Sequence, residues 1–186
     1  MNMTSLLELD ARLSNQMRVA EKPGALRTIA VILAHSGDSW FWGAALLLLW
    51  FFGNPAWKEW YAVELVGISL LAALVMGVKF LVRRRRPEGE WGGIYRNTDP
   101  HSFPSGHAAR AFFIAVIAGA LGPAGLGVVL WIWAPLVALA RVAMGVHYLS
   151  DVIAGTILGI LSAWLFLQIY QTLFAWIANI LHFPLM

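Results

Sequence analysis

Two histidines and one carboxylate, His107, His147 and Asp151, are the side chains of this sequence best suited to chemistry. His147 and Asp151 are four positions apart, so in a helix they are neighbours on one face. A neutral imidazole can attack phosphorus when a carboxylate fixes its tautomer and supports the positive charge that develops. A second imidazole, protonated, can then donate to the leaving oxygen. These residue types therefore suit phosphoryl transfer.

Basic side chains are grouped where an anion would need them. Lys79 and Arg86 are seven positions apart, or two helical turns, so both project from one helix face with Arg83 between them. Pro87 disfavours the helical conformation at Arg86 and releases that side chain at the helix end. Together with Arg141, these cations can stabilise the charge that spreads over the non-bridging oxygens of a phosphoryl group.

The segment 103–107, with the sequence FPSGH, has the features of a helix N-terminus that binds phosphate. Ser105 can cap the following helix, and Gly106 lets an anion approach the free backbone N–H groups. The segment closes the one long polar stretch, 83–105, which joins two apolar segments. A connection of this length is unusual in a compact bundle and is a candidate for function.

Each of the three groups also has an ordinary structural explanation. A lone histidine in a membrane protein is more often hydrogen-bonded inside the bundle, and a run of arginines at a helix end usually binds lipid headgroups. A histidine and an aspartate one turn apart can be a structural pair. Convergence favours the functional interpretation, because all three groups need an anion and all lie at ends of adjacent apolar segments. The parity of the crossings places them on one membrane face.

The composition predicts an all-α integral membrane protein. Of 186 residues, 60% are hydrophobic and only 12% are charged, whereas a soluble domain has about 45–50% and about 25%. The length predicts a single domain, 1–186. Residues 1–24 carry charges without an apolar core, which predicts an interfacial amphipathic helix rather than a cleaved signal peptide.

Apolar segments define the predicted bundle. The last segment carries Gly155 and Gly159, a small-residue face that allows a neighbouring helix to approach closely. We predict six transmembrane helices, although the first two segments, divided by the breaker at 35–39, could form a short hairpin or one helix plus a re-entrant half. The six segments are 24–36, 39–53, 60–82, 105–122, 124–143 and 148–181.

The order and spacing of the three groups resemble the type 2 phosphatidic acid phosphatase superfamily, which includes bacterial lipid phosphate phosphatases and the vanadium haloperoxidases. The resemblance covers about residues 79–151, the catalytic motif region. The matching pattern is Lys79-x6-Arg86-Pro87, then Pro104-Ser105-Gly106-His107, then Arg141-x5-His147-x3-Asp151.

The resemblance implies a six-helix core, no metal and no cofactor. It also implies that His147 is the nucleophile that forms a phosphohistidine, that Asp151 orients it, and that His107 is the general acid. The residues that would bind the phosphoryl oxygens are Lys79, Arg86, Ser105, Gly106 and Arg141.

One position departs from the family pattern. The third motif usually begins Ser-Arg, and here Ala140 precedes Arg141. An alanine cannot hydrogen-bond, so one phosphate contact is missing or comes from elsewhere. Arg110, one turn from His107, either compensates or is a structural partner of an acidic side chain.

The remaining basic residues predict the orientation. With six crossings, the positive-inside rule places the N-terminal basic residues and Lys58 in the cytoplasm. The site would then lie on the extracytoplasmic face of the cell membrane. With five crossings, the N-terminus and the site would share a face.

These observations predict a phosphatase that acts on a lipid phosphate monoester or diphosphate in the bilayer, such as phosphatidylglycerophosphate, phosphatidic acid or undecaprenyl diphosphate. No nucleic-acid partner is expected, and the sequence does not define an oligomeric state. A vanadate-dependent haloperoxidase is excluded because those proteins are soluble. The alternative is a non-enzymatic protein that binds or transports phospholipid headgroups, which would not need His107, His147 and Asp151 together.

Overall fold

Helices make up the regular structure in the part of the chain that the structure describes. The structure is a computed structural model that describes residues 2–20, 22–89, 91 and 99–181. A short 3₁₀ turn, Pro55–Trp57, precedes the fourth helix. Within the described ranges the α-helices are α1 (Met3–Gln16), α2 (Ala25–Ser36), α3 (Ser39–Phe52), α4 (Lys58–Val82), α5 (Gly106–Leu121), α6 (Leu126–Ala143) and α7 (Leu149–Leu181). The predicted all-α class is confirmed.

Among the residues that the structure describes, three helical segments are long and apolar enough to cross a membrane: Pro55–Val82, Leu126–Ala143 and Leu149–Trp176. Helices α2, α3 and α5 are also apolar but shorter. Large apolar side chains point outward from several helices, as lipid contact requires, and Leu81 and Ile132 are 84% and 64% exposed. The chain is therefore a membrane protein.

Helix α5 lies at the centre of the bundle. It packs most extensively against α6 and α7 and also contacts α4, and nearly all of its residues from Ala108 to Ala118 are buried. The small-residue face of α7 packs on it, since a Cβ at Gly159 would lie 2.1 Å from the carbonyl oxygen of Ala109. The close approach predicted for this face is confirmed, and it holds the ends of α5 and α7 together.

Helix α1 lies at the end of the bundle where α4 ends and α7 begins. The Asp10 carboxylate accepts a hydrogen bond from Arg84 at 2.7 Å and another from the Ser150 N–H at 3.0 Å. Just after α1, the Ala20 N–H donates to the carbonyl of Ala143, the last residue of α6, at 3.1 Å. We call this the motif end of the bundle, because residues 83–86 and 147–151 lie there.

Helices α2 and α3 follow each other from the motif end to the opposite end. Ala20, which precedes α2, lies at the motif end. At the other end of α2, the Ser36 hydroxyl accepts a hydrogen bond from Trp133, in the middle of α6, at 2.8 Å. Helix α3 ends at Phe52, and a Cβ on the next residue, Gly53, would lie 3.1 Å from the Tyr61 ring near the start of α4. The break at 35–39 therefore joins two half-length helices without turning the chain back. This path does not confirm the predicted six separate crossings.

Candidate active site

A cavity of about 160 Å³ opens between α4, α5 and α6 at the motif end. Six of the eight predicted site residues line it, and Ser105 and Asp151 are fully buried nearby. The wall on the α4 side is apolar, with Ile68, Leu71, Val75 and Met76. The polar lining consists of Ser39, Lys79, Arg86, Asp99, Gly106, His107, Arg110, Arg141 and His147.

His147 follows α6 and presents its Nε2 atom to Arg86. The Nη1 atom of Arg86 lies 3.1 Å from Nε2. A guanidinium can only donate, so Nε2 must accept through its lone pair, which leaves the imidazole proton on Nδ1. Burial, followed by the charges of Arg86, Arg141 and Lys79, lowers the pKa of His147 well below its ordinary value. The imidazole is therefore neutral near pH 7, with its lone pair facing a cationic group.

Asp151 lies behind His147. Its Oδ2 atom is 3.6 Å from His147 Nδ1, beyond hydrogen-bond distance, and accepts from the Tyr148 N–H at 2.9 Å. A side chain in the first turn of α7 that bonds back to the N–H before the helix resembles one half of a capping box. Oδ1 accepts from Arg84 at 2.7 Å. Asp151 thus both caps α7 and places a negative charge beside the imidazole.

Ser105 fixes the start of α5. Its hydroxyl accepts from the Ala108 N–H at 3.4 Å, as the sequence predicted for a cap. Its own N–H donates to the Asp151 carbonyl at 2.9 Å, which joins the N-termini of α5 and α7. Ser105 is fully buried and Gly106 lines the cavity, so the helix N-terminus is presented through Gly106.

Lys79 and Arg86 both bind the carboxylate of Asp99. The Oδ2 atom of Asp99 accepts from Lys79 Nζ and, at 2.7 Å, from Arg86 Nη2. The Lys79 ammonium also donates to the His101 carbonyl at 2.8 Å. The sequence placed Asp99 in a candidate functional loop but did not predict this pairing. An oxyanion therefore already bridges the two cations that the sequence predicted to bind phosphoryl oxygens.

The structure shows what surrounds Ala140 and Arg110, whose roles the sequence left open. Ala140 packs in an apolar cluster with Ala30 and Ala34 of α2, so the space of the family serine is used for helix packing. Arg110 donates to the Gly37 carbonyl at 2.8 Å and to the Ser39 hydroxyl, which holds the turn between α2 and α3. Its partners are a carbonyl and a hydroxyl, while the same side chain also lines the cavity.

His107 has a carboxylate partner that sequence reasoning missed. Its Nε2 atom lies 2.7 Å from Asp38 Oδ1. The sequence identified the segment 35–39 only as a helix breaker, because a partner 69 positions away leaves no local spacing signal. Both imidazoles of the cavity therefore have a nearby aspartate.

Comparison with known proteins identifies the class. The PAP2 superfamily model matches residues 60–175, more than half of the chain, so the chain belongs to the PAP2 superfamily. It is 33% identical over 153 residues to a decaprenylphosphoryl-5-phosphoribose phosphatase of Mycobacterium tuberculosis, covering 82% of this chain and 84% of that one.

Two further matches extend the comparison. A probable lipid phosphate phosphatase beta of Arabidopsis thaliana is 30% identical, covering 85% of this chain and 87% of that one. Among solved structures, a phosphatidylglycerolphosphate phosphatase of Bacillus subtilis superposes with a TM-score of 0.74 at 22% identity, covering 92% of this chain and 89% of that one. The structural match supports the fold, and the named relatives support a phosphatase.

We predict that Asp99→Asn strengthens the binding of orthophosphate or vanadate. The neutral amide binds Lys79 and Arg86 more weakly than a carboxylate does, so a competing anion displaces it more easily. The dissociation constant, measured by calorimetry on purified protein, should fall about tenfold, which corresponds to about 1.4 kcal/mol.

Glu88→Gln is the matched control for this substitution. Glu88 is an exposed acidic residue that precedes Asp99 in the connection between α4 and α5, and it does not line the cavity. Its replacement removes one negative charge without touching the two cations and should leave the dissociation constant unchanged. Equal or weaker anion binding by Asp99→Asn would show that Asp99 does not occupy the phosphate position.

Proposed function

We propose that this protein is a membrane phosphatase that hydrolyses lipid phosphate esters through a phosphohistidine on His147. The observation that carries the proposal is the contact between His147 Nε2 and Arg86 on the wall of a cavity lined by cations. A neutral imidazole whose lone pair faces a cation in this cavity supports the assignment of His147 as the nucleophile. Family membership and the phosphatase names of the relatives support the same chemistry.

In the first step, the substrate phosphoryl group displaces the Asp99 carboxylate and takes Lys79 and Arg86 as ligands. Arg141 and the backbone N–H groups at Gly106 bind the remaining oxygens. His147 Nε2 then forms a bond to phosphorus while the bond to the leaving oxygen breaks, and His107 gives that oxygen a proton. Positive charge grows on the His147 ring, and Asp151, 3.6 Å from Nδ1, stabilises it.

In the second step, water attacks the phosphorus of the phosphohistidine. His107, now neutral, takes a proton from that water, and the P–N bond breaks to release phosphate and restore His147. Three cations and a helix N-terminus supply the stabilisation of the oxyanion in both steps. The proposal therefore needs no metal ion and no cofactor.

The proposed substrate class is an amphiphile with a terminal phosphate. The cavity combines a polar floor with the apolar wall of α4, which suits a phosphate at the membrane end of a hydrocarbon chain. The relatives are named for a phosphorylated polyprenyl sugar and for lipid phosphates. We extend both to this chain as candidate substrates, beside the glycerophospholipid and undecaprenyl substrates predicted from sequence.

We predict that purified protein in detergent releases orthophosphate from at least one lipid phosphate. The panel should hold phosphatidic acid, phosphatidylglycerophosphate, undecaprenyl diphosphate and a polyprenyl-linked sugar phosphate. Release should persist in EDTA and stop with vanadate, which mimics pentacoordinate phosphorus. Loss of release in EDTA with recovery in magnesium would contradict the mechanism. Tight lipid binding without release would favour the headgroup-binding alternative.

We also propose a five-crossing topology in which α2 and α3 form one interrupted crossing. A break at membrane depth is tolerated where other groups satisfy its backbone. Here Trp42 donates to the Ser36 carbonyl and Arg110 donates to the Gly37 carbonyl. The N-terminus and the site then share a face, and the basic residues at 12, 18, 22 and 27 lie on that face. The positive-inside rule now favours a site that faces the cytoplasm, the reverse of the orientation derived from six crossings.

Single cysteines test this topology, because the sequence contains none. A membrane-impermeant maleimide should label Ala56→Cys and Ala124→Cys in intact cells, and should label Glu8→Cys and Glu88→Cys only after lysis. All four positions are exposed in the structure. If Glu8→Cys were labelled like Ala56→Cys, the six-crossing topology would be correct. If Glu88→Cys were labelled in intact cells, the site would face outward.

A further inference from the structure

Asp38 connects two imidazoles at the break between α2 and α3. Oδ1 lies 2.7 Å from His107 Nε2, and Oδ2 lies 2.9 Å from His35 Nδ1. The Trp40 indole N–H also donates to Oδ2 at 3.3 Å. His107 faces the cavity, whereas His35 is about half exposed. Oδ1 of Asp38 therefore bonds the imidazole of His107, which lines the cavity.

The surroundings of His107 explain why a carboxylate is needed there. Arg110 is on the same helix, and Arg141 reaches the cavity from α6. Both cations oppose protonation of His107, and burial opposes it as well. The charged or titratable groups that line the cavity with His107 are Lys79, Arg86, Asp99, Arg110, Arg141 and His147. Asp99 binds Lys79 and Arg86, so among the described residues Asp38 is the carboxylate that directly contacts His107.

We propose that Asp38 is a positioning residue that orients His107 and favours its protonated form as the general acid of the reaction. This inference rests on the proposed function. The His107 Nε2–H donates to Asp38, and the second ring proton, on Nδ1, is the one transferred. Arg110 supports the arrangement from the other side, because it anchors the carbonyl of Gly37 and thereby the backbone beside Asp38.

The proton balance assigns no transfer to Asp38 itself. As the bond between phosphorus and the leaving oxygen breaks, the Nδ1 proton of His107 moves to that oxygen and the imidazole becomes neutral. The ring regains a proton from the water that attacks the phosphohistidine. Throughout the cycle Asp38 stays ionised and keeps its hydrogen bond to Nε2. Its role is to make the protonated ring available in a cationic site.

Asp38→Asn tests the role of this charge, because the amide oxygen can still accept from Nε2 while the negative charge is lost. For an alkyl phosphate, kcat/KM should fall on the order of tenfold or more, since general acid catalysis contributes about 10²–10⁴-fold. For p-nitrophenyl phosphate, whose leaving group needs no proton, kcat/KM should change little. The ratio of the two values does not depend on the folded fraction of the preparation.

The pH profile gives a second readout. Activity toward the alkyl phosphate falls as pH rises through the pKa of the general acid. Without Asp38 the protonated ring is less stable, so this basic limb should move to lower pH by about one unit. Asp38→Glu should restore most of the wild-type substrate ratio and most of the position of the basic limb. His35→Ala, which removes the outer imidazole, should leave both quantities close to wild type.

The outcomes separate the two proposals. A wild-type protein that releases phosphate from no substrate would overturn the proposed function. An active wild type whose Asp38→Asn variant keeps both the substrate ratio and the basic limb would overturn the role of Asp38 alone. If the Asn variant cannot be purified, the same ratio of kcat/KM values is measured on Asp38→Ser. A ratio unchanged from wild type would again overturn the role of Asp38.

Discussion

Buried positive charge where α4 and α6 end is the constraint on which the rest of this structure depends. The cations Lys79, Arg86 and Arg141 are 2%, 4% and 0% exposed. Burying a cation costs on the order of several kcal/mol unless an anion pairs with it. Asp99 forms ion pairs with both Lys79 and Arg86. A site that must hold an anion to be stable, and whose resident anion is a single carboxylate on a loop, is suited to exchange that carboxylate for a phosphoryl group.

The bundle provides the rigid frame for this exchange. Helix α5 is buried along most of its length, and glycines of α7 bring the two helices into close contact. The hydrogen bond from Ser105 to the Asp151 carbonyl then fixes the histidines at the two helix starts relative to each other. Helix α1 adds a second connection, because Arg84 bonds both Asp10 and Asp151. The N-terminal helix thus contacts the network behind the proposed nucleophile, while its predicted interfacial role stays a prediction.

Local spacing predicted the parts of the site that belong to one helix or one helix start. The i, i+4 relation of His147 and Asp151, the cap at Ser105 and the cations flanking 79–86 all follow from distances along the chain. The partners Asp38 and Asp99 were missed because their contacts join segments that only the tertiary fold brings together. The path of α2 and α3 was also not predicted, since segment length and a breaker do not tell whether a chain turns back.

The central claim is that phosphate is transferred to His147, and trapping the intermediate tests it most directly. Wild-type protein is mixed with a lipid bearing a ³²P-labelled terminal phosphate, quenched in alkali within a turnover, and digested for mass spectrometry. The account predicts an acid-labile, alkali-stable phosphate on the peptide that contains His147 and no label on His147→Ala. Label on another residue, or phosphate release by His147→Ala at the wild-type rate, would contradict it.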